Sequence, residues 1–241
     1  MISIDQVTFT YPDGTRALDR LTLQIPQGMP TGIVGANGAG KSTLVGHLNG
    51  WHLPQEGSVT IEGLPVSRAN LERIRKTVGL VFQNPDDQLF TASVRDDVLF
   101  GPLNLGMGRQ KAEASAERLL REFGLWELRD KPPSHLSHGQ KRFAALAAVL
   151  VMEPKVLVMD EPTSDLDPRN RRKLIGLVRS LSATTVTVSH DLDFIWETCE
   201  QVCVMNTGRV VAAGPAKELL ADRELLESNG LELPLRLGGR P

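Results

Sequence analysis

The chain has 241 residues, 41% hydrophobic and 23% charged, with a formal net charge of -2. This is ample length for a buried core in one large or two small domains, and the near-neutral charge gives no global attraction to nucleic acid. Two cysteines, Cys199 and Cys203, are too few for a disulfide framework and read as buried thiols at a helix–strand junction in a reducing compartment.

In chain order, residues 2–9 and 18–25 read as strands joined by a turn at Pro12-Asp13-Gly14. Residues 31–34 (TGIV) read as a short buried strand, and KSTLVGHL, starting at Lys41, reads as a helix. Residues 59–61 and 78–82 are further strands. From Asn84 to about Met152 the pattern turns helical, with Leu119, Leu120 and Phe123 on one face of a helix over 111–123. Lys131-Pro-Pro-Ser breaks that pattern, and a helix resumes over 137–152 with Ser137 as its N-cap. Residues 156–159 form an apolar strand of the kind buried in parallel sheets. Residues 169–181 and 191–198 read as helices, 184–188 as a strand, and 201–205 with 209–212 as a hairpin around Asn206-Thr207-Gly208. Alternating strands and helices predict an α/β fold with an inserted helical section, and residues 234–241 are expected to form a loose tail. The N-terminus lacks a signal-peptide pattern, and the longest apolar run, 143–152, is too short to span a membrane.

The chemistry concentrates at GANGAGKST, residues 35–43, which fits the G-x-x-x-x-G-K-[ST] phosphate-loop pattern. Glycines let the backbone curl close to an anion, and the N-terminal end of the following helix adds positive potential. Gly35, Ala36, Asn37, Gly38, Ala39, Gly40, Lys41, Ser42 and Thr43 are therefore the candidate phosphate cradle. Lys41 is expected at the β- and γ-phosphates, and the Ser42 hydroxyl on Mg²⁺. Asp160 and Glu161 end the apolar strand VLVM, at the sheet edge where α/β proteins bind ligands. Asp160 is the candidate Mg²⁺ holder, and Glu161 is placed to take a proton from water. Gln83 and His190 follow two other strands. Gln83 can complete the Mg²⁺ or water shell, and His190 can donate to a γ-phosphate or the water. Ser137 and the backbone near Gly139, in LSHGQ, offer a second anion-binding helix start.

Taken together, these motifs resemble the ATP-binding-cassette (ABC) ATPase family over nearly the whole chain. GANGAGKST and VLVMDE look like its two phosphate motifs and LSHGQ its signature. Gln83, His190 and residues 164–167, ending at Asp167, look like its glutamine loop, switch histidine and aspartate loop. Tyr11 matches the aromatic residue that stacks on adenine. The resemblance implies a phosphate-loop NTPase core with an N-terminal antiparallel β subdomain and an inserted helical subdomain. Its boundaries would be an ATPase domain over 1–233, with core 1–83 and 153–233 and helical subdomain about 84–152, followed by the tail 234–241. It implies ATP and Mg²⁺ held between two such domains packed head to tail, with Ser137, Gly139 and Gln140 of one facing the nucleotide of the other. This chain departs from the family at His138, where glycine is usual, and at Asp165, where glycine or alanine is usual. The charge of Asp165 near the dimer seam is expected to weaken closure.

A narrower resemblance follows Gln83. VFQNPDDQLF and DDVLFGPLNLGM look like the energy-coupling-factor branch of ABC importers, nearest the ATPases of cobalt and nickel uptake. It implies a peripheral protein at the cytoplasmic face of the cell membrane, in a homodimer. It also implies a transmembrane scaffold touching the segment 83–107, which begins at Gln83 and ends at Met107, and a membrane substrate-capture subunit. A vitamin importer and an exporter are the alternative settings. His47, His52, His135 and His138 lack transition-metal spacing, so no cobalt or nickel site is expected in this chain.

Overall fold

The computed structural model describes residues 1–238. Apolar residues at alternate positions turn the N-terminal strands into a half-buried sheet. Ile2 and Ile4 of β1 (Ile2–Thr10) are fully buried, and β1 pairs antiparallel with β2 (Arg16–Ile25). The buried β3 (Thr31–Val34) leads through the phosphate loop into α1 (Lys41–Leu48). β4 (Glu56–Ile61) returns to β1, and the short β5 (Leu64–Pro65) completes a four-stranded sheet in the order β2-β1-β4-β5. α2 (Leu71–Thr77) and β6 (Val78–Val81) follow. Next come α3 (Val94–Asn104), α4 (Arg109–Glu122) and α5 (His138–Leu150). The chain then alternates through β7 (Val156–Asp160), α6 (Pro168–Ser180), β8 (Thr184–Val188), α7 (Leu192–Thr198) and β9 (Gln201–Asn206). It closes with β10 (Arg209–Pro215), α8 (Ala216–Leu219) and α9 (Arg223–Ser228).

The second sheet has the order β10-β9-β3-β8-β7-β6. β3, β6, β7, β8 and β9 run parallel, while β10 pairs antiparallel with β9. Period-two geometry explains the apolar run of β7. Val156 and Val158 face a core shared with α1 and the antiparallel sheet, while Leu157 and Met159 face the helices on the other side. That second core also takes in Val98 of α3, Leu119 of α4 and Phe143 of α5. The helical section between β6 and β7 therefore continues the core on one face of the sheet.

Neither α2 nor β5 is among the elements that the pattern predicts. LERIRKT buries just one residue, Ile74, so it carries little apolar periodicity. The expected loose tail at 234–241 is corrected for its described part. The Leu235 N–H donates to Asp193 Oδ2 at 2.7 Å, Arg236 Nε donates to Asp193 Oδ1 at 2.8 Å, and Arg236 Nη2 donates to Glu197 Oε1 at 2.7 Å. Two carboxylates four residues apart share one face of α7, and the guanidinium clamps both. Residues 239–241 lie outside the described residues. Cys199 and Cys203 are both buried, at the end of α7 and in β9, and burial pushes each thiol up to about 12, so both stay protonated at neutral pH.

Candidate active site

Four strand ends and one helix start meet in a cleft of about 330 Å³. Tyr11 comes from the turn after β1, and Asn37, Gly38, Ala39, Gly40, Lys41, Ser42 and Thr43 from the loop and α1. Gln83, Asp160, Glu161 and His190 complete it from beyond β6, β7 and β8. Gln83, Asp160, Glu161 and His190 are brought together because the parallel strands β6, β7 and β8 end at the same sheet edge, and Tyr11 reaches them from the antiparallel sheet.

Gly40, at φ 96°, is the N-cap of α1, and no side chain caps that helix. A Cβ at Gly40 would strike the backbone oxygen of Ala17, so glycine is required there. The uncapped start leaves backbone donors directed at the cleft. Lys41 is buried, and its Nζ donates to the carbonyls of Gly35 at 2.7 Å and Ala36 at 3.0 Å. Burial lowers its pKa, while Glu161 and Asp160 oppose that shift. Gly35 and Ala36 thus floor the loop.

Burial raises the pKa of Asp160, and repulsion from Glu161 adds to it; Lys41 and a hydrogen bond with Ser42 pull the other way. Glu161 is buried, with a left-handed φ of 46°. Such strain in a non-glycine residue persists where the surroundings over-determine it. Its N–H donates to Val188 O at 2.8 Å, which ties the ends of β7 and β8 together. Its Oε2 accepts from Ser189 Oγ and from the His190 N–H, each at 3.1 Å. Its Oε1 is buried and lies 3.4 Å from His190 Nε2, outside hydrogen-bond geometry to any group among the described residues. The Tyr11 hydroxyl shares a hydrogen bond of 3.0 Å with Thr43 Oγ1, and its ring stands edge-on to Phe9 at 5.1 Å.

The donor set fits a triphosphate with a hard divalent cation. Ser42, Gln83 and Asp160 offer oxygen ligands of the kind Mg²⁺ takes, and the orphaned Oε1 of Glu161 looks for a donor such as water. Among the described residues no cluster of three His, Cys, Asp or Glu side chains could hold a metal by itself.

Ser137, Gly139, Gln140 and Asp167 do not line this cleft. Ser137 and Gln140 form a reciprocal capping box at the start of α5, with Ser137 N–H to Gln140 Oε1 at 2.8 Å and Gln140 N–H to Ser137 Oγ at 3.3 Å. A Cβ at Gly139 would press on Asn170 Nδ2 at 2.9 Å. Asp167 caps α6, accepting from the N–H groups of Arg169 and Asn170 at 2.9 and 2.8 Å. The two departures at 138 and 165 face each other, with His138 Nε2 at 3.4 Å from Asp165 Oδ2. Both line a second cavity of about 420 Å³ that also touches Ser42, Gln83 and Asp160.

Three contributors have no local sequence signal. Ser189 is fully buried behind Glu161, and Asp97 is buried on α3, accepting at Oδ1 from the N–H groups of Phe90 and Thr91 at 2.9 and 3.0 Å. Arg142 is buried on α5 and donates from Nη1 to Phe82 O at 2.9 Å and from Nη2 to Ser164 O at 3.5 Å. Burial lowers its pKa, against the attraction of Asp165, Glu161 and Asp160.

The ABC transporter family description matches residues 18–164. This chain belongs to the ABC transporter family. It is the family's ATPase domain, hydrolysing ATP to drive transport. The energy-coupling factor transporter ATP-binding protein EcfA of Carboxydothermus hydrogenoformans is 47% identical over 237 residues, covering 97% of this chain and 87% of that protein. The structure of cbiO1 from Clostridium perfringens, part of the ABC transporter complex cbiONQ, is 39% identical with a TM-score of 0.81, covering 97% and 95% of the two chains. The dimeric, post-hydrolysis structure of the ATP-binding cassette MJ0796 with ADP and Pi is 26% identical with a TM-score of 0.82, covering 90% and 99%. Domains of this family work as dimers with transmembrane components. Among the described residues no helix is long and apolar enough to cross a membrane.

Proposed function

We propose that this chain is the ATP-hydrolysing subunit of an energy-coupling-factor importer for cobalt or nickel ions, acting as a homodimer at the cytoplasmic face of the cell membrane. One observation carries the membrane assignment. The segment after Gln83 exposes two aromatic side chains, Phe90 (64%) and Phe100 (48%), packed edge to face at 4.9 Å. Asp97 ties the backbone under Phe90 to α3. An exposed aromatic pair, one ring on the pinned loop and one on α3, fits a transmembrane scaffold subunit better than it fits water. The likeness of 83–107 to cobalt and nickel uptake ATPases supports the cargo. EcfA, by its name an energy-coupling factor subunit, and cbiO1, part of cbiONQ, support the branch. A separate membrane subunit captures the cargo in this reading.

The chain's residues would divide the work as follows. Tyr11 stacks on adenine, and the N–H groups of residues 35–43 with Lys41 hold the phosphates. Ser42, Gln83 and Asp160 hold Mg²⁺, which when bound neutralises charge on the β- and γ-phosphates. Glu161 Oε1 takes a proton from water, and His190 donates from the adjoining position. Ser137 and Gly139 of the partner protomer complete the site at its open side. In this reading the ATPase domain spans 1–233, with core 1–83 and 153–233 and a helical subdomain at 84–152.

The test is a tagged pull-down of Glu161→Gln with ATP from detergent-solubilised native membranes, read by mass spectrometry. Recovery of a polytopic scaffold with a small membrane capture protein is expected, and the latter's identity narrows the cargo to metal or vitamin. Recovery of an exporter-type membrane domain, or of soluble partners alone, would overturn the importer.

A further inference from the structure

Glu161 is useful as a base only if one of its oxygens is held still and the other is left for water. The surrounding hydrogen bonds divide the carboxylate in that way. Oε2 takes both neighbouring donors, Ser189 Oγ and the His190 N–H, while Oε1 takes none among the described residues and lies toward His190 Nε2.

The direction of the Ser189 hydroxyl is fixed by its other contact. The Asp191 N–H donates to Ser189 Oγ at 3.0 Å, so the single hydroxyl proton is left for Glu161 Oε2. Ser189 cannot turn away, because it is fully buried and Asp191 beside it is clamped twice. Arg171 Nε and Nη2 grip the Asp191 carboxylate at 2.7 and 3.0 Å, and Asp191 Oδ1 caps α7 by accepting from the Phe194 N–H at 2.8 Å. Arg171 also lies 3.5 Å from Glu197, which the C-terminal Arg236 holds. Turning the carboxylate out of its plane would break both hydrogen bonds to Oε2, which holds it in one orientation with its other oxygen toward His190.

We propose that Ser189 is a positioning residue for ATP hydrolysis: its hydroxyl anchors one oxygen of Glu161 and thereby aims the other at the attacking water. This rests on the reading of Glu161 as the base. Hydrolysis is sensitive to such aim, since a misplacement of about 1 Å can cost ~10²-fold in rate.

The test compares Ser189→Ala, Ser189→Thr and Glu161→Gln in the full chain, measuring kcat, KM for ATP and melting temperature. In Ser189→Ala, kcat should fall about tenfold or more while KM holds, because the lost hydroxyl contacts the base and the Asp191 N–H and no phosphate-loop group. Ser189→Thr, which keeps the hydroxyl, should restore kcat. Parent-like turnover in Ser189→Ala overturns the proposal. So does a loss matched by falling melting temperature and ATP affinity, and so does a folded, ATP-binding Ser189→Thr that stays slow. Turnover retained in Glu161→Gln would remove the base itself, and the Ser189 role with it. Loss in Glu161→Gln beside normal turnover in Ser189→Ala would remove Ser189 alone.

Discussion

Two buried carboxylates, one in the cleft and one in the helical section, are held by the same device. Glu161 presents one oxygen to two donors and leaves the other unpartnered among the described residues, and Asp97 does the same with Phe90 N–H, Thr91 N–H and its own orphaned Oδ2. What differs is the surrounding of the second oxygen. That of Glu161 lies next to His190 at the wall of an open cleft. That of Asp97 is enclosed by packing, and burial raises the pKa of Asp97. The same pair of hydrogen bonds therefore aims a reactive group in one place and fastens a loop in the other.

The strongest way to break this comparison is to remove each carboxylate. Glu161→Gln keeps the shape and removes the base, so kcat should fall by about 10²–10⁴-fold with ATP-driven dimerisation retained on gel filtration. Near-normal turnover would demote Glu161. Asp97→Ala should act on the other axis. It leaves two backbone N–H groups without their acceptor, at a cost of about 1–3 kcal/mol read from chemical denaturation, with the ATP turnover of the folded chain unchanged. A variant with parent stability would show that the loop holds without Asp97. If both substitutions struck the same property, the two carboxylates would have one role between them.

Tyr11→Ala sharpens the cleft side, because in the proposed reading it removes the adenine contact while the backbone N–H groups of the phosphate loop stay in place. ATP affinity should weaken by about 1–2 kcal/mol, on the scale of aromatic stacking. Unchanged affinity by calorimetry would take Tyr11 out of the site.

The smallest effect concerns a third buried group of the same kind. His47 Nδ1 bonds to Thr43 O at 2.8 Å, and its Nε2 is buried without a partner among the described residues. Burial, with His52 nearby, holds its pKa below the ordinary 6.5. A depressed folded value means the neutral ring is the folded form. Its contribution is whole above pH 6.5 and is lost as pH falls from there through the folded value. The melting temperature should drop across that range by no more than about 2–4 °C, the shift that ~1 kcal/mol makes in a chain of this size. His47→Met should flatten the slope, and an unchanged slope would assign it to another group.

The cleft was legible in the sequence because its chemistry is dense and local. GANGAGKST specifies a backbone curl within nine residues, and VLVMDE specifies an apolar strand with carboxylates at its end. Ser189 and Asp97 were not legible, since a serine after TTVTV or an aspartate in VRDDVL reads as a surface residue until its burial is known. Burial of a polar group is decided by partners far along the chain, here 28 residues from Ser189 to Glu161. α2 escaped for lack of an apolar stripe, and the tail because its clamp is a pair of carboxylates on another element. The acidic turn after Gln83 also looks solvated in sequence. Yet Gln88 there accepts from the Phe82 N–H at 3.1 Å and donates to Ala145 O at 3.0 Å, folding the turn against α5.

That last contact is one of three between residues 82–88 and α5. Arg142 grips Phe82 O, and Lys141 Nζ meets Asp86 Oδ1 at 2.6 Å. These contacts tie the turn to the first half of α5. In the proposed head-to-tail pair, the start of α5, within two turns of those contacts, rests on the neighbour's nucleotide. A displacement of the turn in one protomer would then reach the ATP bound by the other through three hydrogen-bonded contacts and one short helix segment.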